Sequence, residues 1–192
     1  VSSSSFYSLI IQQGSELSKS KEISDDYGKN LSYEKELYDH FLDEILKDGD
    51  YYILELTKVA KKNRDRYQYI KTRHSGGDTF PIGNGAGGNV SDLGIFNMSQ
   101  EKSMYIKYND EHIRYKRIAS LFQFPKINKD EMFSFLNKAE QKTFLKKIEL
   151  FKEYEYVKED GDSYLLTRDG IFWGNSISRT TINALIRAKY DK

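Results

Sequence analysis

Three consecutive patterns at the start of the chain restrict its fold more than any overall property does. Phe6-Tyr7-Ser8-Leu9-Ile10-Ile11 is an apolar run of the kind found in a buried strand. Ser32 is then placed to cap a helix in which Leu37, Phe41 and Ile45 recur at i, i+4 and i+8, with Tyr38 and Leu42 widening the stripe and Gly49 stopping it. Tyr51 to Leu56 is a second apolar, aromatic-rich run. Strand, helix, strand predicts a βαβ unit with parallel neighbouring strands and a sheet covered by helices. Two or three parallel strands cannot bury both faces by themselves, so further strands are expected from elsewhere in the polypeptide. Five Ser-rich residues lead directly into the first apolar run. The expectation is the C-terminal part of a larger protein; the alternative is a natural N-terminal strand with a short tail.

At 192 residues the chain suffices for one sizeable core, or for a core and a small appended module, and two packed units are expected. Its 15 Tyr and 11 Phe make aromatic rings a large part of the buried surface. The absence of cysteine excludes disulfides, thiolate nucleophiles, zinc ribbons and thiolate-held iron–sulfur clusters within these residues. With 30 basic and 29 acidic side chains, the formal charge of +1 gives no global attraction to nucleic acid or anionic lipid, so any electrostatic function is local. No apolar run approaches the ~20 residues that span a bilayer. Val1 to Ser5 has no basic, signal-like region. A cytoplasmic chain without a membrane or DNA partner is the expectation.

Further along, Pro125 marks an expected boundary between domains 1–124 and 125–192. Before it, a strand is predicted around Met104 to Tyr108 and a helix around Glu111 to Phe122. After it, Asn128 and Glu131 form an N-x-x-E capping pair, and Phe144, Leu145, Ile148 and Phe151 stripe the next helix. Tyr154 to Val157 and Tyr164 to Leu166 flank Glu159-Asp160-Gly161-Asp162, a hairpin signal. Thr167 then caps a final helix through Trp173, Ile177, Ile182 and Leu185. Helices, a hairpin and a closing helix predict a winged-helix-like module. Its 13 Lys/Arg against 11 Asp/Glu, net +2 over 126–192, give weak support for phosphate binding.

Two neighbouring segments carry candidate chemistry. Lys58, Lys61, Lys62, Arg64, Arg66, Lys71 and Arg73 face a single acid, Asp65, giving +6 in sixteen residues. That run is either a solvated surface or a receptor for a dianionic ligand or acidic partner. Beside it, Gly83-Asn84-Gly85-Ala86-Gly87-Gly88 contains a literal G-x-G-x-x-G. The turn-rich Asn89-Val90-Ser91-Asp92 that follows is not the helix a dinucleotide site requires, and no Lys-Ser/Thr ends it as in a Walker loop. The glycines instead predict a backbone that passes very close to something, or tight loop packing. His40, His74 and His112 are too scattered for a metal site, and His74 is the one candidate ligand or proton donor.

Phe6-Tyr7-Ser8-Leu9-Ile10-Ile11-Gln12-Gln13-Gly14-Ser15, Tyr52-Ile53-Leu54-Glu55-Leu56-Thr57, the glycine cluster and Leu166-Thr167-Arg168-Asp169-Gly170 occur in an order that resembles the radical S-adenosylmethionine enzymes related to oxygen-independent coproporphyrinogen oxidase. Within that family the chain looks most similar to the heme-utilisation branch, of the anaerobilin synthase type. The resemblance implies the C-terminal part of an open, partial TIM-type (β/α) barrel with a small winged-helix-like tail. It also implies an enzyme that cleaves S-adenosylmethionine on a [4Fe-4S] cluster, takes electrons from a flavodoxin-type donor, methylates heme and opens the macrocycle with iron release. The family's C-x-x-x-C-x-x-C motif is missing, so the chain reads as the substrate side and not as a competent enzyme by itself. By resemblance, Thr57, Val59 and Ala60 approach S-adenosylmethionine or substrate, and Gly83, Gly85, Ala86, Gly87 and Gly88 lie against a flat tetrapyrrole. Lys61, Lys62, Arg64, Arg66 and Arg73 are the candidate propionate or partner contacts. A coproporphyrinogen oxidase-like or heme-chaperone relative, or a non-enzymatic winged-helix binding module, are the alternatives.

Overall fold

The computed structural model describes residues 1–7, 14–19, 31–64 and 67–189. The chain is mixed α/β and divides into two compact units, Val1–Asp65 and Arg66–Lys192. The expected 124/125 boundary falls inside the second.

The first unit contains β1 (Ser3–Ser5), α1 (Glu16–Lys19), α2 (Leu31–Leu46), β2 (Tyr51–Glu55) and β3 (Lys58–Lys61). Leu56 and Thr57 form a tight turn, so β2 and β3 are a hairpin. Ser4 and Ile53 both pair with Val59, each antiparallel. β1 and β2 therefore run in the same direction, as the strand–helix–strand pattern requires, but β3 lies between them. They are thus not the expected neighbouring parallel pair, because the two-residue turn brings β3 back between them. Among the described residues the first strand precedes the expected apolar run. It uses the serines, whereas Phe6 turns its ring onto Tyr38 and Phe41 of α2, at 5.8 and 5.5 Å between centroids. Residues 8–11 of that apolar run lie outside the described residues. Tyr38 and Leu42 are the buried centre of α2, with Leu37 42% exposed, so the inward face is rotated by one position from the expected stripe. Ser32 is the second residue of the helix. Gly49 does stop it, in a left-handed conformation at φ 70° with its N–H on Leu46 O.

The second unit opens with α3 (Gln68–His74) and a sheet of β4 (Gly87–Val90), β5 (Leu93–Asn97) and β6 (Ser103–Lys107) in that order. Then follow α4 (Asp110–Leu121), β7 (Lys126–Asn128), α5 (Lys129–Ser134), α6 (Lys138–Glu153), β8 (Val157–Asp160), β9 (Ser163–Leu166), α7 (Arg168–Phe172) and α8 (Gly174–Ala188). β7, β9 and β8 form another antiparallel sheet in that order. Asn128 caps α5 by accepting from Glu131 N. A second N-x-x-E, Asn137 with Glu140, forms a full capping box at α6. Phe144, Ile148 and Phe151 of α6 are buried, but Leu145 is turned outward. The expected closing helix is two helices that meet at Trp173. Residues 154–156 are outside β8, which starts only at Val157.

Gly170 shows why Leu166-Thr167-Arg168-Asp169-Gly170 needs those residue types. Thr167 Oγ1 accepts from Gly170 N at 3.0 Å and caps α7. A Cβ on Gly170 would stand 1.9 Å from the carbonyl oxygen of Tyr156, which itself accepts from Thr167 N at 3.0 Å and has nowhere to go. Exchanging glycine for alanine inside a helix normally stabilises by up to ~1 kcal/mol, whereas overpacking against fixed backbone costs about 1–3 kcal/mol. The clash wins, and Gly170→Ala is expected to lower the melting temperature by several degrees in a thermal unfolding scan.

A buried carboxylate joins α4 to α6. Glu140 is 1% exposed. It accepts from Arg114 Nη1 and Nη2 at 2.8 and 2.9 Å, from the Tyr115 hydroxyl at 2.8 Å and from Asn137 N at 2.9 Å. Burial pushes the carboxyl up, but Arg114, the Asn137 N–H and Tyr115 together hold it below its ordinary 4.5. Burial, then the carboxylate beside it, raises the Tyr115 phenol to about 12. A carboxyl depressed in the folded state stabilises above its unfolded pKa, and that contribution is lost as pH falls through the folded value. Urea unfolding from pH 7 downward should therefore show stability declining below about pH 4.3. Glu140→Gln is expected to flatten that acid limb and to lose about 3 kcal/mol at pH 7, because Arg114 keeps its charge without a counter-ion.

Candidate functional site

Antiparallel register places Gly87, Phe96 and Met104 opposite one another, and next to them Asn89, Gly94 and Ile106. Residues directly opposite share a face, so these six form one side of the β4–β5–β6 sheet. Tyr108 folds back over Gly94: an added Cβ there would meet its hydroxyl at 2.6 Å and its ring at 2.8 Å. His112, on the first turn of α4, stacks on Tyr108 at 4.4 Å and 4° between planes. One turn later Lys116 carries its amine 5.4 Å from the Tyr108 ring centre, with a long 3.5 Å contact to Asn89 Oδ1. Beyond Tyr108 the sheet face is open, with Phe96, Met104 and Ile106 each more than 40% exposed.

Arg73, near the end of α3, closes the other side of this groove, whose volume is about 280 Å³. Two contacts hold that end of α3 in place. The His74 ring meets Phe124 edge-on at 5.5 Å, and Gly76, at φ 81°, passes so close to Arg117 that a Cβ would lie 2.1 Å from its guanidinium. None of the residues lining the groove is acidic. Among the described residues neither Arg73 nor Lys116 forms an ion pair. Partial burial, then the charge of Arg73, pushes the Lys116 amine below its ordinary 10.5. Burial, then Arg73, likewise lowers His74 below 6.5, which keeps its imidazole neutral at pH 7. The arrangement is an apolar shelf beside two cations that form no ion pair among the described residues.

The sequence-derived candidates distribute across both units. Thr57 is in the β2–β3 turn and Lys61 at the end of β3, paired with Asp50 at 2.9 Å. Val59 and Ala60 are 2% and 0% exposed, so their side chains serve the core of the first unit. Lys62 and Arg64 are exposed in the following turn, and Arg66 lies outside the described residues. Arg73, Gly87 and Gly88 are the candidates the structure brings together in the groove. The glycines have different reasons for being glycine. Gly83 and Gly85 need left-handed backbone, at φ 91° and 72°, with open space around them. Gly88 answers the expectation of close approach, but the neighbour is the chain's own Thr79 carbonyl, 2.1 Å from a Cβ. Gly87 has ordinary backbone and room, its nearest atom being on the Phe96 ring at 3.6 Å. Lys116, Phe96, Met104, Ile106 and Tyr108 were not anticipated as site residues. The signals for them were the apolar Met104-Tyr105-Ile106 run in a small sheet and the i, i+4 pair His112 and Lys116.

No cysteine is present in the chain, and among the described residues no group of three or more His, Asp or Glu is arranged to hold a metal ion. An iron–sulfur cluster does not fit these residues. Among the described residues no helix is long and apolar enough to cross a membrane.

No protein-family model matches the chain. No curated protein matches it either. Among solved structures it is similar to coproporphyrinogen III oxidase (HemN) from Escherichia coli, a radical SAM enzyme, with a TM-score of 0.53 and 12% identity over 74% of this chain. The likeness is one of fold. The chain spans 39% of the length of that enzyme.

The geometry generates a direct test of the groove's electrostatics. With lysines labelled by reductive ¹³C-methylation, the Lys116 signal is expected to titrate below the ordinary lysine range, and Arg73→Gln to move it part of the way back. A Lys116 titration that is unchanged by the substitution would separate the two cations.

Proposed function

We propose that this chain forms the substrate side of a radical S-adenosylmethionine enzyme acting on a tetrapyrrole, with heme methylation and ring opening as the specific reaction. The observation that carries the reading is the groove itself: a flat apolar sheet face beside two cations with no acid in the groove lining, in a chain whose fold matches part of a coproporphyrinogen III oxidase. A tetrapyrrole has that same division, an apolar plane with carboxylates at one edge, and binding sites of this type combine apolar walls with a few placed charges. In this reading the cluster, S-adenosylmethionine and a flavodoxin-type donor belong to the whole enzyme, and no step of the chemistry is assigned to these residues. Thr57 with Val59 and Ala60 would contribute backbone or turn contacts only, given the burial of the latter two. The partial-barrel and winged-helix assignments belong to the same proposal. The second is supported by the order helix, strand, two helices and hairpin from α4 to β9 with the sheet ordered β7, β9, β8.

Titration of the chain with hemin and with coproporphyrin III, followed in the Soret band, tests the reading. Saturable one-to-one binding of at least one of them is expected, and tighter binding of hemin favours the heme branch over a coproporphyrinogen oxidase-like role. Absence of saturable binding to both would overturn the tetrapyrrole assignment.

A further inference from the structure

We infer that Arg73 and Lys116 form a carboxylate receptor that seats one edge of a flat apolar acid, with its body lying on Phe96, Met104 and Ile106. The inference rests on the tetrapyrrole reading for the identity of that acid, a porphyrin held by its propionates, but the receptor is defined by the groove alone.

Three observations carry it. The first is charge. Some long cations of this unit are matched with acids, Lys189 with Glu111 at 2.7 Å and Lys152 with Glu149 and Glu159 at 3.0 and 3.1 Å. Arg73 and Lys116 instead share a groove without an acid in its lining, where partial burial, and then the charge of Arg73, push the Lys116 amine below its ordinary range. An anion between them removes the repulsion. Arginine offers a planar fork suited to a carboxylate and lysine a point charge, so the pair accepts two carboxylates or both oxygens of one.

The second is shape. Tyr108 covers the Gly94 end of the sheet face, and the ladder continues from it through Ile106, Met104 and Phe96 without an interrupting polar side chain. Gly87 extends the shelf because no side chain stands on it. The third is size. Pockets that enclose a drug-sized ligand are about 300–1,000 Å³, and this groove of about 280 Å³ is open. It takes the edge of a large planar ligand and leaves the rest outside, which suits a substrate whose reactive face is presented to another part of an enzyme.

The experiment measures fluorescence titration of the chain with mesoporphyrin IX and with its dimethyl ester, which keeps the ring and lacks the anions. Each lost charged hydrogen bond is expected to weaken the diacid roughly tenfold. Arg73→Gln with Lys116→Gln should therefore bring the diacid close to the ester, whose own affinity stays unchanged. Gly87→Leu, at a position with ordinary backbone, should weaken both ligands by filling the shelf. Lys61→Gln with Lys62→Gln, in the other unit, should change neither. Circular dichroism melts identify any variant that fails to fold, and Lys116→Arg, which keeps the charge, should retain most of the diacid affinity.

Wild-type binding that is indifferent to the groove variants overturns the receptor while leaving the tetrapyrrole reading in place. If wild type binds neither porphyrin, the tetrapyrrole reading falls, and the receptor is judged on 2-naphthoate against 2-naphthamide through the ¹³C-methyl signal of Lys116. A saturable shift with the acid alone supports it, and no shift with either overturns it.

Discussion

Glu140 is the point on which the second unit turns. A carboxylate that is 1% exposed is tolerated only when its oxygens are fully used, and here four donors from three residues converge on it. Two come from the Arg114 guanidinium on α4, one from Tyr115 beside it, and one from the backbone at the start of α6. Arg114 spends a further N–H on Phe135 O at 2.8 Å, just after α5. The same side chain that completes the capping box of α6 thus fixes the axial position and rotation of α4. Its perturbed pKa marks a structural joint: the carboxylate is sealed from solvent and has no free lone pair to offer a substrate.

Fixing α4 sets everything that faces the groove. With Tyr115, Ile118 and Phe122 buried and Arg114 held by Glu140, the opposite helix face presents His112 and Lys116, one turn apart, toward the sheet. Asn109 caps the helix through His112 N at 2.8 Å and so determines where Tyr108 leaves the strand. Tyr108 then stacks between His112 and the bare backbone of Gly94. The groove is consequently a by-product of how α4 is anchored. It has one wall anchored by Glu140, and its other wall, α3, is held by the buried Ile70 and by the contacts of His74 and Gly76.

Elements whose signals are local were legible in the sequence. Gly49 stops α2, Asn128 and Thr167 cap their helices, and the Gly161-Asp162 turn joins β8 to β9, because each depends on one or two residues and a hydrogen bond nearby. The pairing partner of β1 was not legible. An apolar run and a helix define strand direction, but whether a third strand enters between two others depends on a turn as short as Leu56-Thr57. The glycine cluster was readable as a place where side chains are excluded, yet the reasons differ residue by residue and only the neighbours of each Cβ separate them. Arg73 was legible as part of a basic run. Lys116 was not, since its partner in the groove is 43 positions away in a sequence where charges are otherwise evenly mixed.

That distance also bears on what the groove is for. A solvated surface lysine needs no partner. The Lys116 amine lies over the Tyr108 ring, and partial burial, then the charge of Arg73, lower its pKa, a repulsion that an acidic neighbour on β4 would relieve. Position 89 is occupied by Asn, which reaches Lys116 with a neutral oxygen at 3.5 Å, where an Asp of nearly the same shape would neutralise it. A neutral residue at that point preserves a positive field over an apolar shelf. Retained repulsion is uninformative for a fold, whereas it is what a receptor for an amphipathic anion requires, because the bound carboxylate then supplies the missing counter-charge.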